Sequence, residues 1–75
     1  MTLNQAATIM LELAKIPAQP KLVAAFSNPG TNSMWIKGVL KAAAPAANSM
    51  VNPAYEQAIN VLRSNGIDVN IFDTN

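Results

Sequence analysis

Residues 52–66, NPAYEQAINVLRSNG, encode one helix with a marker at each end. Asn52 followed by Pro53 is typical of a helix start, because Asn caps the first turn and proline fits the first helical position. Asn65-Gly66 is typical of a helix end, since glycine accepts the left-handed backbone of a C-terminal cap. Between these ends the apolar residues recur at helical spacing, which predicts an amphipathic helix: Tyr55, Ala58, Ile59 and Leu62, joined by Val61.

The N-terminal residues predict a second helix. Thr2 and Gln5 have the spacing of a capping box, and Pro17 places the helix end near Lys15 or Ile16. A helix apolar over much of its circumference usually has more than one neighbour, so we expect this one to contact another chain. Its apolar face consists of Leu3, Ala6, Ala7, Met10, Leu13 and Ala14, widened by Ile9 and Leu11.

The centre of the chain is less regular. Residues 21–26 follow Pro20 and favour a short helix, with a buried strand as the alternative. A further helix is predicted from Met34 to about Ala43 and is expected to end at Pro45. Residues 45–51 have no clear period and fit either an extended arm or a short helical turn.

Residues 67–73 alternate between apolar and polar side chains and predict a strand. Ile67, Val69 and Ile71 share one face, and Phe72 lies on the other. Because a lone strand leaves its backbone unpaired, it must pair with residues 22–26, pair with another chain, or dock as a tail. The predicted fold class is therefore mainly α, as one small domain over residues 1–75. It has three or four short helices and a C-terminal β-strand or arm at 67–75 that can pair with another chain.

The composition argues against catalysis and cofactor binding. The 75 residues contain no Cys and no His, and charged residues make up only 12% against a hydrophobic share of 51%. Without His or Cys, a nucleophile would need a carboxylate or lysine base beside it, and no motif surrounds any of the four acidic residues. We therefore predict that the chain is not an enzyme and has no catalytic residue, metal site or cofactor.

Charge and hydropathy argue against a nucleic-acid partner and against a membrane span. The net charge is only +1, and the basic residues are spread along the chain, so no nucleic-acid partner is expected. A helical nucleic-acid binder would have to use Lys37, Lys41 and Arg63. The N-terminal residues do not resemble a signal peptide, and no run is apolar enough to span a membrane. The expected location is the cytoplasm, or a particle assembled there.

These features together favour a protein partner. The low charge leaves little repulsion between chains, which is typical of an oligomer or an assembly component. We expect a non-catalytic structural or adaptor subunit of a larger protein assembly, and by analogy only the composition is similar to that of small virus or phage subunits. The alternative is a regulatory module that binds a protein by strand addition through residues 67–73. The predicted partner-binding residues are Trp35, Ile67, Val69, Ile71 and Phe72.

Overall fold

Four helices make up the described part of the chain, and the fold is mainly helical, as predicted. A computed structural model describes residues 1–48 and 53–69, with side chains given up to residue 45 in the first range. The helices are α1 (Leu3–Leu13), α2 (Pro20–Ala25), α3 (Pro29–Asn48) and α4 (Pro53–Ser64). Helix α1 is the centre of the fold, because it contacts each of the other three and packs most extensively against α4.

Both ends of α1 are capped. At the start, Gln5 N–H donates to Thr2 Oγ1 over 3.1 Å, and Thr2 N–H donates to Gln5 Oε1 over 2.8 Å, which confirms the capping box. At the end, Lys15 N–H donates to Glu12 O over 3.0 Å and Ile16 N–H to Leu11 O over 2.9 Å. This pattern is a Schellman motif, and it forces Lys15 to a φ of 62° in the left-handed region.

Residues 20–25 form a helix, so the helical alternative for this segment is confirmed and the strand alternative is wrong. One side chain ties α2 to the next helix. Asn32 Nδ2 donates to Ala25 O and to Asn28 O, each over 3.1 Å, and so adds a second hydrogen bond to carbonyls that already accept from backbone N–H groups. Asn32 itself is non-helical, with φ −109° and ψ 18°, and marks a kink inside α3.

Helix α3 differs from the prediction mainly at its C-terminal end. A short helical segment from Pro29 precedes the kink at Asn32, and the helix beyond the kink begins close to the predicted Met34 but continues through Pro45 to Asn48 rather than ending at the proline. Pro45 cannot donate to the carbonyl four residues earlier, but Pro45 and Lys41 are both exposed, which leaves water free to reach that carbonyl. The alanines around Pro45 have the highest helix propensity of any residue and favour continuation.

The end of α4 is a second Schellman motif. Gly66 N–H donates to Arg63 O and Ile67 N–H to Leu62 O, both over 3.1 Å, and Gly66 has a φ of 80°. The predicted C-terminal strand over 67–73 is not supported. Residues 67–69 adopt no strand, and residues 70–73 lie outside the described ranges. The physical reason is that α2 offers no strand edge, and the apolar side chains of Ile67 and Val69 instead complete the core, each 4% exposed.

Many of the apolar residues of α1 are buried in the core of the fold. Ala6, Ala7, Met10 and Leu11 of α1 are fully buried among side chains of α3, α4 and the residue that follows α2. This chain's own helices therefore supply neighbours for one side of α1, while Leu3, Ile9 and Leu13 are only partly buried and contact with another chain stays a prediction. The largest side chains that are almost completely buried are Phe26, Met10, Leu11, Ile36, Leu40, Leu62 and Val39.

Candidate interaction surface

The titratable side chains form no chemical cluster in residues 1–48 and 53–69. No group of three or more acidic residues could hold a metal ion within these ranges. Lys37 Nζ lies 3.7 Å from Asp68 Oδ2, and both side chains are about half exposed. An exposed ion pair of this kind contributes only about 0–1 kcal/mol and cannot activate a nucleophile. Burial raises the pKa of the Tyr55 phenol, on α4, above its ordinary value.

Trp35 lies at the boundary between the core and the surface. Its ring meets the ring of the buried Phe26 edge to face, with centroids 5.6 Å apart and planes at 73°. This geometry is favourable for an aromatic pair and holds the indole against a core side chain. The rest of the side chain is partly exposed, so Trp35 is available for contact with another protein.

Met34 precedes Trp35 and is 85% exposed, more than any other large hydrophobic side chain in the described residues. Met34 is not among the partner-binding residues predicted from the sequence. The signal was present in the helical spacing, since Met34 stands two residues, or about 200°, away from the buried Ile36. An apolar side chain on the outer side of an amphipathic helix has no neighbour in its own core.

Shallow depressions lie on α1 and α4. The depression on α1 has a volume of about 450 Å³ and is lined by Met1, Asn4, Gln5, Thr8 and Ile9. The one on α4 has a volume of about 310 Å³ and is lined by Tyr55, Glu56, Ile59 and Asn60. Both are open to solvent, and most of their polar lining residues are exposed, unlike the enclosed sites that bury a small ligand.

The predicted partner-binding residues do not form one exposed surface. Ile67 and Val69 are buried in the chain's own core, and Ile71 and Phe72 lie outside the described residues. Trp35 alone of the five reaches the surface in the part of the chain that the structure describes. The sequence pattern could not separate a face that binds a partner from a face that covers this core, because both require the same apolar side chains.

Comparison with known proteins returns no relative. No protein-family model, no curated protein and no solved structure matches this chain. Among the described residues, no helix is both long enough and apolar enough to cross a membrane. The function proposed below therefore rests on the sequence and the geometry of this chain alone.

Proposed function

We propose that this chain is a non-catalytic structural or adaptor subunit that binds another protein, either a second copy of itself or a larger subunit. The single observation that carries the proposal is the 85% exposure of Met34 beside the half-buried Trp35. We call these two residues the Met34–Trp35 edge.

The chemistry of the Met34–Trp35 edge supports a protein partner. Methionine is unbranched and adapts its shape to a contacting surface, and tryptophan is favoured at the centre of protein interfaces. The indole is held by Phe26, so little side-chain entropy is lost when a partner covers it. The scarcity of charge, at 12% of residues, leaves little repulsion against close approach.

Removal of the methionine tests the proposal. Burial of one methionine side chain is worth about 1.5–3 kcal/mol, so Met34→Gln is expected to weaken association by about 10–100-fold. The assay is absolute mass by light scattering after size exclusion, over a dilution series. The matched control is Ala42→Gln, which places the same amide at an exposed position of the same helix but removes no large apolar side chain.

Three results would contradict parts of the proposal. Equal association of Met34→Gln and wild type would show that the Met34–Trp35 edge is not the contact. A wild-type chain that stays monomeric at every concentration would refute self-association. A photo-crosslinking side chain at position 34, compared with one at position 42, then tests the larger-subunit form. Equal and low crosslinking at both positions would refute it as well.

Strand addition through residues 67–73 remains the alternative, and the core weighs against it. Displacement of this segment toward a peptide would remove Ile67 and Val69 from the core. Exposure of two such side chains costs about 3–6 kcal/mol, which the added strand would have to offset. A partner that binds Met34→Gln as well as wild type, but not a chain truncated after Asp68, would favour this alternative.

A further inference from the structure

The pair Asn65-Gly66 at the end of α4 is suited to a covalent change that needs no enzyme. An asparagine amide carbon can be attacked by the backbone nitrogen of the next residue, and this attack meets least hindrance when that residue is glycine. Asn65 and Gly66 are both exposed, and an added Cβ on Gly66 would meet no atom within 4 Å, so solvent reaches the pair. The hydrogen bonds of the cap are therefore what controls its reactivity in the folded chain.

The cap holds both reacting groups. Gly66 N–H, the future nucleophile, donates to Arg63 O over 3.1 Å. The Asn65 side-chain amide, which carries the future leaving group, donates from Nδ2 to Val61 O over 2.7 Å. We infer that the α4 cap gates deamidation at Asn65, so that Asn65 is a modification site protected while the cap is closed and reactive when it opens. This inference stands independently of the proposed function.

The reaction consumes one water and releases one ammonia. Hydroxide removes the amide proton of Gly66, and the nitrogen forms a bond to Cγ of Asn65. The Cγ–Nδ2 bond then breaks, and the leaving group takes a proton from water and departs as ammonia. The resulting succinimide is opened by water at either carbonyl, which leaves aspartate or isoaspartate at position 65. No oxidant, metal or cofactor is needed.

The product cannot close the same cap. Isoaspartate adds one backbone atom between residues 65 and 66, so the bonds from Gly66 to Arg63 and from Ile67 to Leu62 cannot both form again. Either product also places a negative charge at the C-terminus of a helix, where the helix dipole disfavours it. Deamidation therefore acts in one direction and is expected to release Ile67 from the core.

Mass spectrometry of the full chain tests the gate. The protein is incubated at mildly alkaline pH, folded in buffer or unfolded in urea, and then cut with trypsin. Cleavage after Arg63 isolates residues 64–75, and fragmentation locates the one-dalton gain. We expect deamidation of Asn65 to be slower in the folded chain than in urea by a factor of about ten or more. The reason is that two hydrogen bonds of typical strength must open first. Equal rates, or no modification of Asn65 in urea, would overturn the inference.

A pair of variants separates cap opening from global unfolding. Ile67→Ala weakens the apolar contact of the cap, whereas Val69→Ala removes apolar volume from an equally buried position three residues beyond the helix cap. Neither changes the Asn65-Gly66 pair. We expect Ile67→Ala to accelerate folded-state deamidation several-fold more than Val69→Ala, with equal rates in urea. The inference would be overturned if the deamidation rates of both variants rose only in proportion to their loss of global stability.

Discussion

Lys15 adopts the left-handed conformation that glycine favours, and its replacement is a direct test of the α1 cap. Its φ is 62°, its side chain is exposed, and both hydrogen bonds of the Schellman motif depend on this backbone conformation. A residue with a Cβ in this region costs about 1–2 kcal/mol, whereas glycine costs almost nothing there. We therefore compare Lys15→Gly with Lys15→Ala, because both variants remove the same charge.

The expected difference in stability between Lys15→Gly and Lys15→Ala follows from two opposing effects. Glycine avoids the left-handed penalty but loses about 0.5–1 kcal/mol more backbone entropy than alanine on folding. The net expectation is that Lys15→Gly is more stable than Lys15→Ala by about 0.5–1 kcal/mol. Lys21, an exposed residue inside α2, provides the control with opposite sign, since glycine in a helix is about 1 kcal/mol worse than alanine.

Urea denaturation followed by circular dichroism at 222 nm measures these differences. In a domain of this size, 1 kcal/mol also corresponds to a shift in Tm of about 4–8 °C. We expect the glycine variant to be more stable than the alanine variant at position 15, and the alanine variant to be more stable at position 21. If Lys15→Gly proves less stable than Lys15→Ala, the left-handed cap at the end of α1 is refuted.

Three further perturbations have definite expected outcomes. Gly38→Ala should stabilise the protein by about 1 kcal/mol in urea denaturation, because its Cβ would meet no atom within 4 Å; destabilisation would imply a close contact there. Phe26→Ala should cost about 3–5 kcal/mol and expose Trp35, with a red shift of its fluorescence; an unshifted spectrum would contradict the ring pair. Because the pKa of Tyr55 is raised by burial, tyrosine contributes stability below its unfolded-state pKa that is lost as the pH rises through the folded-state value. Tyr55→Phe should therefore reduce the alkaline loss of stability, and identical pH profiles would contradict this.

Local signals explain which elements the sequence could predict. The start of α1 and the end of α4 depend on hydrogen bonds within a few residues, so Thr2, Gln5 and Gly66 identify them correctly. The same signals fail at α3. Proline at position 45 removes one hydrogen bond from the helix, and a local rule cannot show that the surrounding alanines and an exposed position tolerate this loss.

The candidate interaction surface was less predictable than the helices, because burial is decided by residues far apart in the chain. The alternation of Ile67 and Val69 fits a strand, but it equally fits a short extended segment that covers a core. The number of neighbours around α1 is likewise a property of the tertiary fold. Trp35 was predicted from its residue type and its position near the surface-facing Lys37. The exposure of Met34 follows from the helical spacing once Ile36 is known to be buried.

The central position of α1 has a consequence for biosynthesis. Its main neighbour, α4, begins at Pro53, some 40 residues after α1 ends at Leu13. At about 5–20 residues per second, a ribosome completes this interval in roughly 2–8 s, during which the most apolar helix of the nascent chain lacks its principal partner. Folding of this small protein is therefore completed only after α4 has left the ribosome. Until then, α1 is a candidate binding site for chaperones and a point from which aggregation can begin.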